Sequence, residues 1–193
     1  PSLKQLAASE SMTRIASIFG ITSHIQSLDL SSSSLGDAGV AALLGTNSNI
    51  ANSPSLAFLN LSYNDITEHG AKHIADTIAK NNSITSLVLG SNKLLDQGLQ
   101  TIAQALERNK SVTYLRAASN QITSAGIDSL QKVLEKKPDD NVLAILDLEN
   151  NLIDDAGAIK LADSWQNNET LIYLHLERNM IKKLGAEALA KAS

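Results

Sequence analysis

The feature that most constrains the fold of this chain is an internal repeat. Six segments align, beginning at residues 25, 56, 84, 112, 143 and 171, with spacings of 28 or 31 residues. When the first aliphatic residue of each unit is counted as offset zero, leucine occupies offset three and glycine offset fourteen in all six units. A fixed period of this length is typical of solenoids, in which one unit buries its apolar face only by stacking on its neighbours.

Within each unit the apolar spacing changes from strand to helix. Leucines at offsets three and five predict a short strand with these side chains turned inward. After the glycine, a four-residue step such as Ile74 and Ile78 predicts an amphipathic helix. The pattern therefore predicts six strands in one parallel sheet and helices over residues 37–45, 68–80, 96–107, 124–135, 155–166 and 183–192. Five residues just before the glycines are of the type that starts helices: Asp37, Thr67, Asp96, Thr123 and Asp154.

The full pattern, LxxLxLxxNxLxxxGxxxLxxxL, resembles the leucine-rich repeat of the ribonuclease-inhibitor subtype and covers residues 25–193. The resemblance implies an α/β solenoid in the form of a horseshoe arc, with a parallel sheet on the concave face and helices on the convex face. A right-handed β/α solenoid also results from the usual hand of parallel strand–helix–strand connections. The concave face is the sheet surface opposite the helices, formed by offsets two, four, six and seven.

The chain consists of two segments. Residues 25–193 form the six repeats, and the extra residues of units one and four lie in the loops 45–55 and 135–141. Residues 1–24 have no strand pattern, and they are predicted to form either a capping helix or the helical half of another repeat. The last unit has no following repeat to cover its core residues. We therefore expect that the native protein continues past Ser193 or pairs end to end.

Composition excludes several classes of function. The chain has no cysteine, so disulfide scaffolds and thiol nucleophiles are excluded. Its net charge of −4 and pI near 5.5 lack the basic excess of a nucleic-acid binder. Since no stretch approaches about 18 continuous apolar residues, membrane insertion is not expected. No cofactor motif is present, and a cytoplasmic location fits this composition.

The polar columns and motifs have structural interpretations. An asparagine at offset eight in units two to six is expected to satisfy backbone groups of the adjacent bend. His69 and His73 stand four apart on one helix but lack a third ligand at a known spacing, and no catalytic constellation accompanies them. Four N-x-[ST] sequons, which matter only in a secreted protein, begin at Asn60, Asn81, Asn109 and Asn168.

The concave face gives the more specific prediction of a site. Four of the six aromatic residues occupy its outward positions, and exposed aromatics in an aromatic-poor protein suggest anchors for a protein partner. Charged residues surround them in the C-terminal half of the chain. The predicted protein-binding residues are Phe58, Tyr63, Tyr114, Arg116, Ile145, Asp147, Glu149, Tyr173, His175, Glu177 and Arg178.

These observations predict a non-enzymatic scaffold that binds a partner protein. Repeats of the ribonuclease-inhibitor subtype serve recognition in inhibitors, in NOD-like cytosolic sensors and in effectors that bacteria deliver into the host cytosol. The short, similar units and Asn/Lys/Ser-rich loops would suit such an effector. Two alternatives remain open: a GTPase activator similar to the Ran-activating proteins, which share the repeat subtype, and the sensor region of a larger protein.

Overall fold

The computed structural model describes residues 3–19, 24–46, 48–135 and 142–192, with side chains described from residue 9 onward. In this part of the chain seven α-helices and six strands follow one another. The strands are β1 Ser27–Asp29, β2 Phe58–Asn60, β3 Ser86–Val88, β4 Tyr114–Arg116, β5 Ile145–Asp147 and β6 Tyr173–His175. The helices are α1 Leu3–Ile18, α2 Gly36–Leu44, α3 Glu68–Ile78, α4 Leu95–Leu106, α5 Ile127–Leu134, α6 Asp155–Gln166 and α7 Lys183–Ala192. A short 3₁₀ helix, Ile50–Asn52, lies in the return loop of unit one, whereas most of the loop 135–141 lies outside the described residues.

The six strands form one open parallel sheet in the order β1 to β6, as predicted. Each strand pairs with the next at the same offset, so that Leu59 faces Leu87 and Leu87 faces Leu115. Because the register never slips, each column of the sequence alignment becomes a row of neighbouring side chains across the sheet. The chain is therefore an α/β solenoid, and any surface row can be derived from the sequence once its offset is known.

The core lies between the sheet and the helices. The offset-three leucines Leu59, Leu87, Leu115 and Leu146 have no exposed surface, whereas Leu28 and Leu174 in the two end units are half-buried. The helices contribute aliphatic side chains at four-residue steps, so strands and helices are held together by one continuous apolar layer. Burying each such side chain stabilises the fold by about 1.5–3 kcal/mol.

The asparagine column forms a ladder that joins successive units, which confirms its structural interpretation. The Oδ1 atom of Asn92 accepts from the backbone N–H groups of Asn64 and Ile66 in the preceding unit, both at 3.0 Å. Its Nδ2 group donates to the carbonyls of Leu61 and Leu89, also at 3.0 Å. Asn64, Asn120, Asn151 and Asn179 make corresponding bonds in the other units. The ladder thus satisfies buried backbone groups that face the next unit.

In three of the six units the glycine of the column lies against a carboxylate of the preceding unit: Gly70 against Asp37, Gly126 against Asp96 and Gly185 against Asp155. The Oδ1 atom of Asp37 accepts from the N–H groups of Thr67 at 2.8 Å and Gly70 at 2.9 Å. A Cβ on Gly70 would lie 2.5 Å from that oxygen, which is too close for any side chain. Asp155 makes the same pair of bonds to the last unit, where it lies against Gly185.

Two of the residues expected to start helices have a different role. Asp37 and Asp96 lie inside the first turns of α2 and α4, and their carboxylates bind the N-terminal region of the following unit instead. Thr67 and Asp154 cap α3 and α6 as predicted. The helix α5 begins at Ile127 rather than near residue 124, because Thr123 pairs with Leu152 of the next unit and a turn follows it.

The N-terminal segment is helical where it is described. Helix α1 packs against α2, and Met12, Ala16 and Phe19 are buried in that contact region. Both interpretations of residues 1–24, a capping helix or half of a repeat, predict such a helix. Of the helices described, none combines the length and the apolar character needed to cross a bilayer.

Candidate functional site

The concave face carries the predicted site residues in two groups. Phe58 and Tyr63 belong to unit two, and the other nine residues belong to units four to six. Unit three separates the groups with small or aliphatic residues at its outward positions. The structure therefore brings nine of the eleven predicted residues together across β4, β5 and β6 and leaves the two aromatics of unit two apart from them.

An apolar row crosses the C-terminal half of this face. Tyr114 pairs with Ile145 and Ile145 pairs with Tyr173 in the sheet register, so the three offset-two side chains are direct neighbours. Parallel strands lie about 4.8 Å apart, which makes the row about 10 Å long. Tyr173 is 56% exposed, while Tyr114 and Ile145 are half-buried. The row is thus accessible to a partner and fixed from below by the sheet.

The next row is held by an internal ion pair. Arg116 Nε lies 3.2 Å from Asp147 Oδ2, and Asp147 is only 7% exposed. The Arg116 charge also acts on the neighbouring Tyr114 phenol. Burial and the nearby Asp147 carboxylate raise the pKa of Tyr114 above its usual value of 10, and Arg116 only partly opposes them. Tyr114 therefore stays neutral beside the Arg116–Asp147 pair.

A depression of about 440 Å³ extends from the apolar row past Asp147 to the residues that follow β5 and β6. Its walls are Tyr114, Ile145, Asp147, Glu149, His175 and Glu177. At its edge Arg178 Nη1 lies 3.4 Å from Glu149 Oε1, and His175 Nδ1 lies 3.8 Å from Glu177 Oε1. The imidazole of His175 stacks on Tyr173, with ring centroids 6.4 Å apart. The depression thus combines ring faces with three carboxylates, and neither guanidinium forms part of its wall.

The residue at offset seven of each unit has a left-handed backbone conformation. The φ angles there fall between 54° and 58° at Ser32, Tyr63, Ser91, Ser119, Asn150 and Arg178. Small or amide residues fit this conformation better than large ones, so Tyr63 and Arg178 are unusual occupants. Both side chains are well exposed, at 64% for the Tyr63 residue and 77% for the Arg178 side chain. They project from the rim of the concave face.

The convex histidines do not form a metal site in the structure. His69 exposes 81% of its side chain, and the nearest carboxylate oxygen, on Glu68, lies 4.0 Å from its Nε2 atom. Within the described ranges, no group of three or more His, Asp or Glu side chains is placed to hold a metal ion.

A second asparagine column was missed in the sequence, although its spacing is visible there. Asn81, Asn109 and Asn168 each stand three residues before the start of a unit. Asn109 Nδ2 donates to the carbonyls of Ile78 and Asn81, and its Oδ1 accepts from Ser111 and Val112 N–H. Asn81 and Asn168 likewise donate to a carbonyl of the preceding unit, Ile50 and Leu134, and accept from the N–H groups of Ile84 and Leu171 that follow them. Three of the four sequons are therefore structural motifs, and Asn81 is 1% and Asn109 4% exposed.

The fold defines the class of protein: an α/β solenoid of stacked strand–helix repeats with one open parallel sheet. A family model described as Leucine Rich repeat matches residues 23–44, 52–75, 80–103, 141–162 and 167–190, which is more than half of the chain. The chain belongs to the leucine-rich repeat family. The matched segments omit unit four, yet the structure gives that unit the same strand and the same ladder residue, Asn120.

Solved structures show the same fold. The chain is similar to a structure titled Leiomodin-1 Actin-Binding Site 2, with 16% identity, a TM-score of 0.54, and coverage of 100% of this chain and 90% of that one. It is also similar to the tropomodulin C-terminal domain of Caenorhabditis elegans, with 12% identity, a TM-score of 0.57, and coverage of 95% and 90%. A comparison with curated protein sequences finds no significant match.

Proposed function

We propose that this protein binds a partner protein through the concave face of β4, β5 and β6, without catalysis of its own. The observation that carries the proposal is the apolar row Tyr114–Ile145–Tyr173 on a rigid sheet, with charged side chains beside it. An apolar centre with a polar surround is the usual arrangement of a protein interface. The leucine-rich repeat family and a structural neighbour whose title names an actin-binding site support a protein as the ligand class.

The proposal predicts where the binding energy lies. Truncating an aromatic anchor to alanine usually costs about 2 kcal/mol or more, which weakens binding about thirtyfold. Tyr114 and Tyr173 project away from the core, so their replacement leaves the apolar layer between sheet and helices intact. Charges at the edge, such as Arg178, are expected to change the association rate more than the lifetime of the complex.

The experiment is affinity capture from cytosolic extract with three proteins of equal fold, checked by circular dichroism. The wild type is compared with the Tyr114→Ala/Tyr173→Ala variant and with the convex control His69→Ala/His73→Ala. We expect a specific partner to be retained by the wild type and the control and lost by the concave variant. If the concave variant keeps every specific partner while the control loses them, the binding face has been assigned wrongly.

The cellular setting of this scaffold is part of the proposal. Cytosolic residence is supported by the absence of cysteine and by the buried amides of Asn81 and Asn109, which no glycan could occupy in the folded protein. Action as a bacterial effector in a host cytosol is one form of this proposal. A kinship with the ribonuclease-inhibitor subtype is supported by the unit length and by the asparagine ladder.

The alternative function is GTPase activation of the Ran-activator type, which would also use protein binding. A single-turnover assay of GTP hydrolysis against a panel of small GTPases separates the two functions. We expect no acceleration by this protein. An acceleration that is lost in the concave variant would replace the scaffold proposal with the activator. The sensor region of a larger protein is a third alternative, which the full reading frame would decide.

A further inference from the structure

The binding face of β4, β5 and β6 is polarised along the strand direction. The offset-two row, Tyr114–Ile145–Tyr173, is apolar, whereas the offset-six positions of units five and six carry Glu149 and Glu177. At about 3.3 Å per residue, four residues of extended chain separate the two rows by about 13 Å. One side of the face therefore offers apolar contact, and the other side offers carboxylates.

The carboxylates differ in how far the protein itself neutralises them. Asp147 is buried against Arg116, so this pair acts as a neutral unit. Glu149 pairs with the long side chain of Arg178, at 3.4 Å and with 77% of the arginine exposed. Glu177 has 64% of its side chain exposed and pairs with His175 at 3.8 Å. Exposed pairs of this kind contribute little and exchange readily with another cation.

The concave face as a whole also carries a net negative charge. Its outward positions hold four carboxylates, Asp29, Asp147, Glu149 and Glu177, against two guanidinium groups, Arg116 and Arg178, which leaves a net charge of −2. The three acids of the C-terminal half line one depression that neither arginine lines. A partner that inserts a positive charge there is attracted by the carboxylates of Glu149 and Glu177.

We propose that the partner docks a segment with apolar side chains along one side and lysine or arginine along the other, about 13 Å apart. The apolar side packs on the row Tyr114–Ile145–Tyr173. The cationic groups enter the depression, where Glu149 and Glu177 accept their hydrogen bonds, and the ring faces of Tyr114 and His175 contact the aliphatic stems. This inference rests on the proposed function and names the chemistry of its partner.

The test selects ligands without assuming their identity. A displayed library of random 16-residue peptides is panned against the wild type and against Glu149→Gln/Glu177→Gln, which keeps the shape of the depression and removes its two exchangeable charges. The matched control is Asp76→Asn/Asp163→Asn, which removes two carboxylates from the exposed surfaces of α3 and α6. Folding of each variant is verified by urea denaturation before panning.

We expect the wild type and the control to enrich peptides that combine aliphatic or aromatic residues with lysine or arginine. The Glu149→Gln/Glu177→Gln variant should lose the basic enrichment, and a selected basic peptide should bind it at least tenfold more weakly by fluorescence anisotropy. Raising NaCl from 50 to 300 mM should weaken binding to the wild type by a similar factor and have less effect on the variant.

The outcomes separate this inference from the proposed function. Selected peptides that are neutral or acidic, or basic enrichment that persists in the Glu149→Gln/Glu177→Gln variant, would overturn the inference. If such peptides still require Tyr114 and Tyr173, the concave binding site stands and only its charge preference is wrong. If no peptide is enriched, or if binding is indifferent to both tyrosines, the proposed binding face fails together with the inference.

Discussion

Replacing Asn92 by alanine gives the sharpest test of how the solenoid is held together. Asn92 is 5% exposed, and its side chain makes four bonds of 3.0 Å, three of which join unit three to unit two while the fourth, to Leu89, lies within unit three. The carbonyls of Leu61 and Leu89 keep a second donor, because Asn64 and Asn120 also bond them. Within the described part of the chain, the N–H groups of Asn64 and Ile66 have no such substitute.

The expected magnitude is set by those two groups. A buried donor left without an acceptor costs about 1–3 kcal/mol, so two of them predict a loss of about 3 kcal/mol from the free energy of unfolding. Asn179→Ala is the matched comparison in the last unit. There, among the residues that the structure describes, Oδ1 accepts from Ile153 N–H alone, and Asn179 is only partly buried, so water can replace it. For this variant we expect a loss of about 1 kcal/mol.

The assay is urea denaturation followed by far-ultraviolet circular dichroism. With a slope of about 2 kcal/mol per molar urea, the midpoint should fall by about 1.5 M for Asn92→Ala and by about 0.5 M for Asn179→Ala. Equal losses in the two variants, or a loss below about 1 kcal/mol for Asn92→Ala, would show that the ladder bonds do not control stability as argued.

Three further predictions concern the glycine column, the sequons and the half-buried phenol of Tyr114. Gly70→Ala should lower stability by about 2 kcal/mol in the same urea assay, because the new methyl group meets Asp37 Oδ1 at 2.5 Å, and adding Asp37→Ala should recover part of the loss. When the chain is directed into the endoplasmic reticulum of a eukaryotic cell, glycosylation of Asn81, Asn109 and Asn168 before folding should prevent the protein from folding. A gel shift would detect the glycans, and protease sensitivity would detect the misfolded protein. Folded product should return when alanine removes the sequon hydroxyls of Ser83, Ser111 and Thr170. Since the folded state holds the Tyr114 proton more tightly than the unfolded state, stability should be fully present below about pH 10 and fall as pH rises through the raised pKa, and Tyr114→Phe should reduce that fall.

The sheet and the core could be predicted from the sequence because the repeat fixes them by symmetry. An offset that is leucine in six units can only face the shared apolar layer, and the pairing of Leu59 with Leu87 results from equal offsets. The adjacency of Tyr114, Ile145 and Tyr173 was predictable for the same reason. The repeat spacing does not predict which side chain of one unit contacts a particular side chain of the next unit.

The roles of Asp37, Asp96 and Asp147 show where sequence reasoning ends. Helix-start preference is a local property, but the two helix carboxylates bind the following unit about 30 residues away. Asp147 occupies a surface offset and is nevertheless buried, because Arg116 from the neighbouring strand covers it. Its burial depends on the pair of residues, and a single column of the alignment does not contain that information.

The left-handed residue at offset seven of each unit lies at the rim of the concave face. Ladder asparagines bond backbone groups at each of the five junctions between units one to six, and Asp37, Asp96 and Asp155 add bonds at three of these junctions. At offset seven the backbone favours small or amide residues, yet Tyr63 and Arg178 stand there with φ near 58° and 57°. Such a conformation costs a bulky residue on the order of 1 kcal/mol or more. Since both side chains are largely exposed, packing against the rest of the fold does not repay that cost.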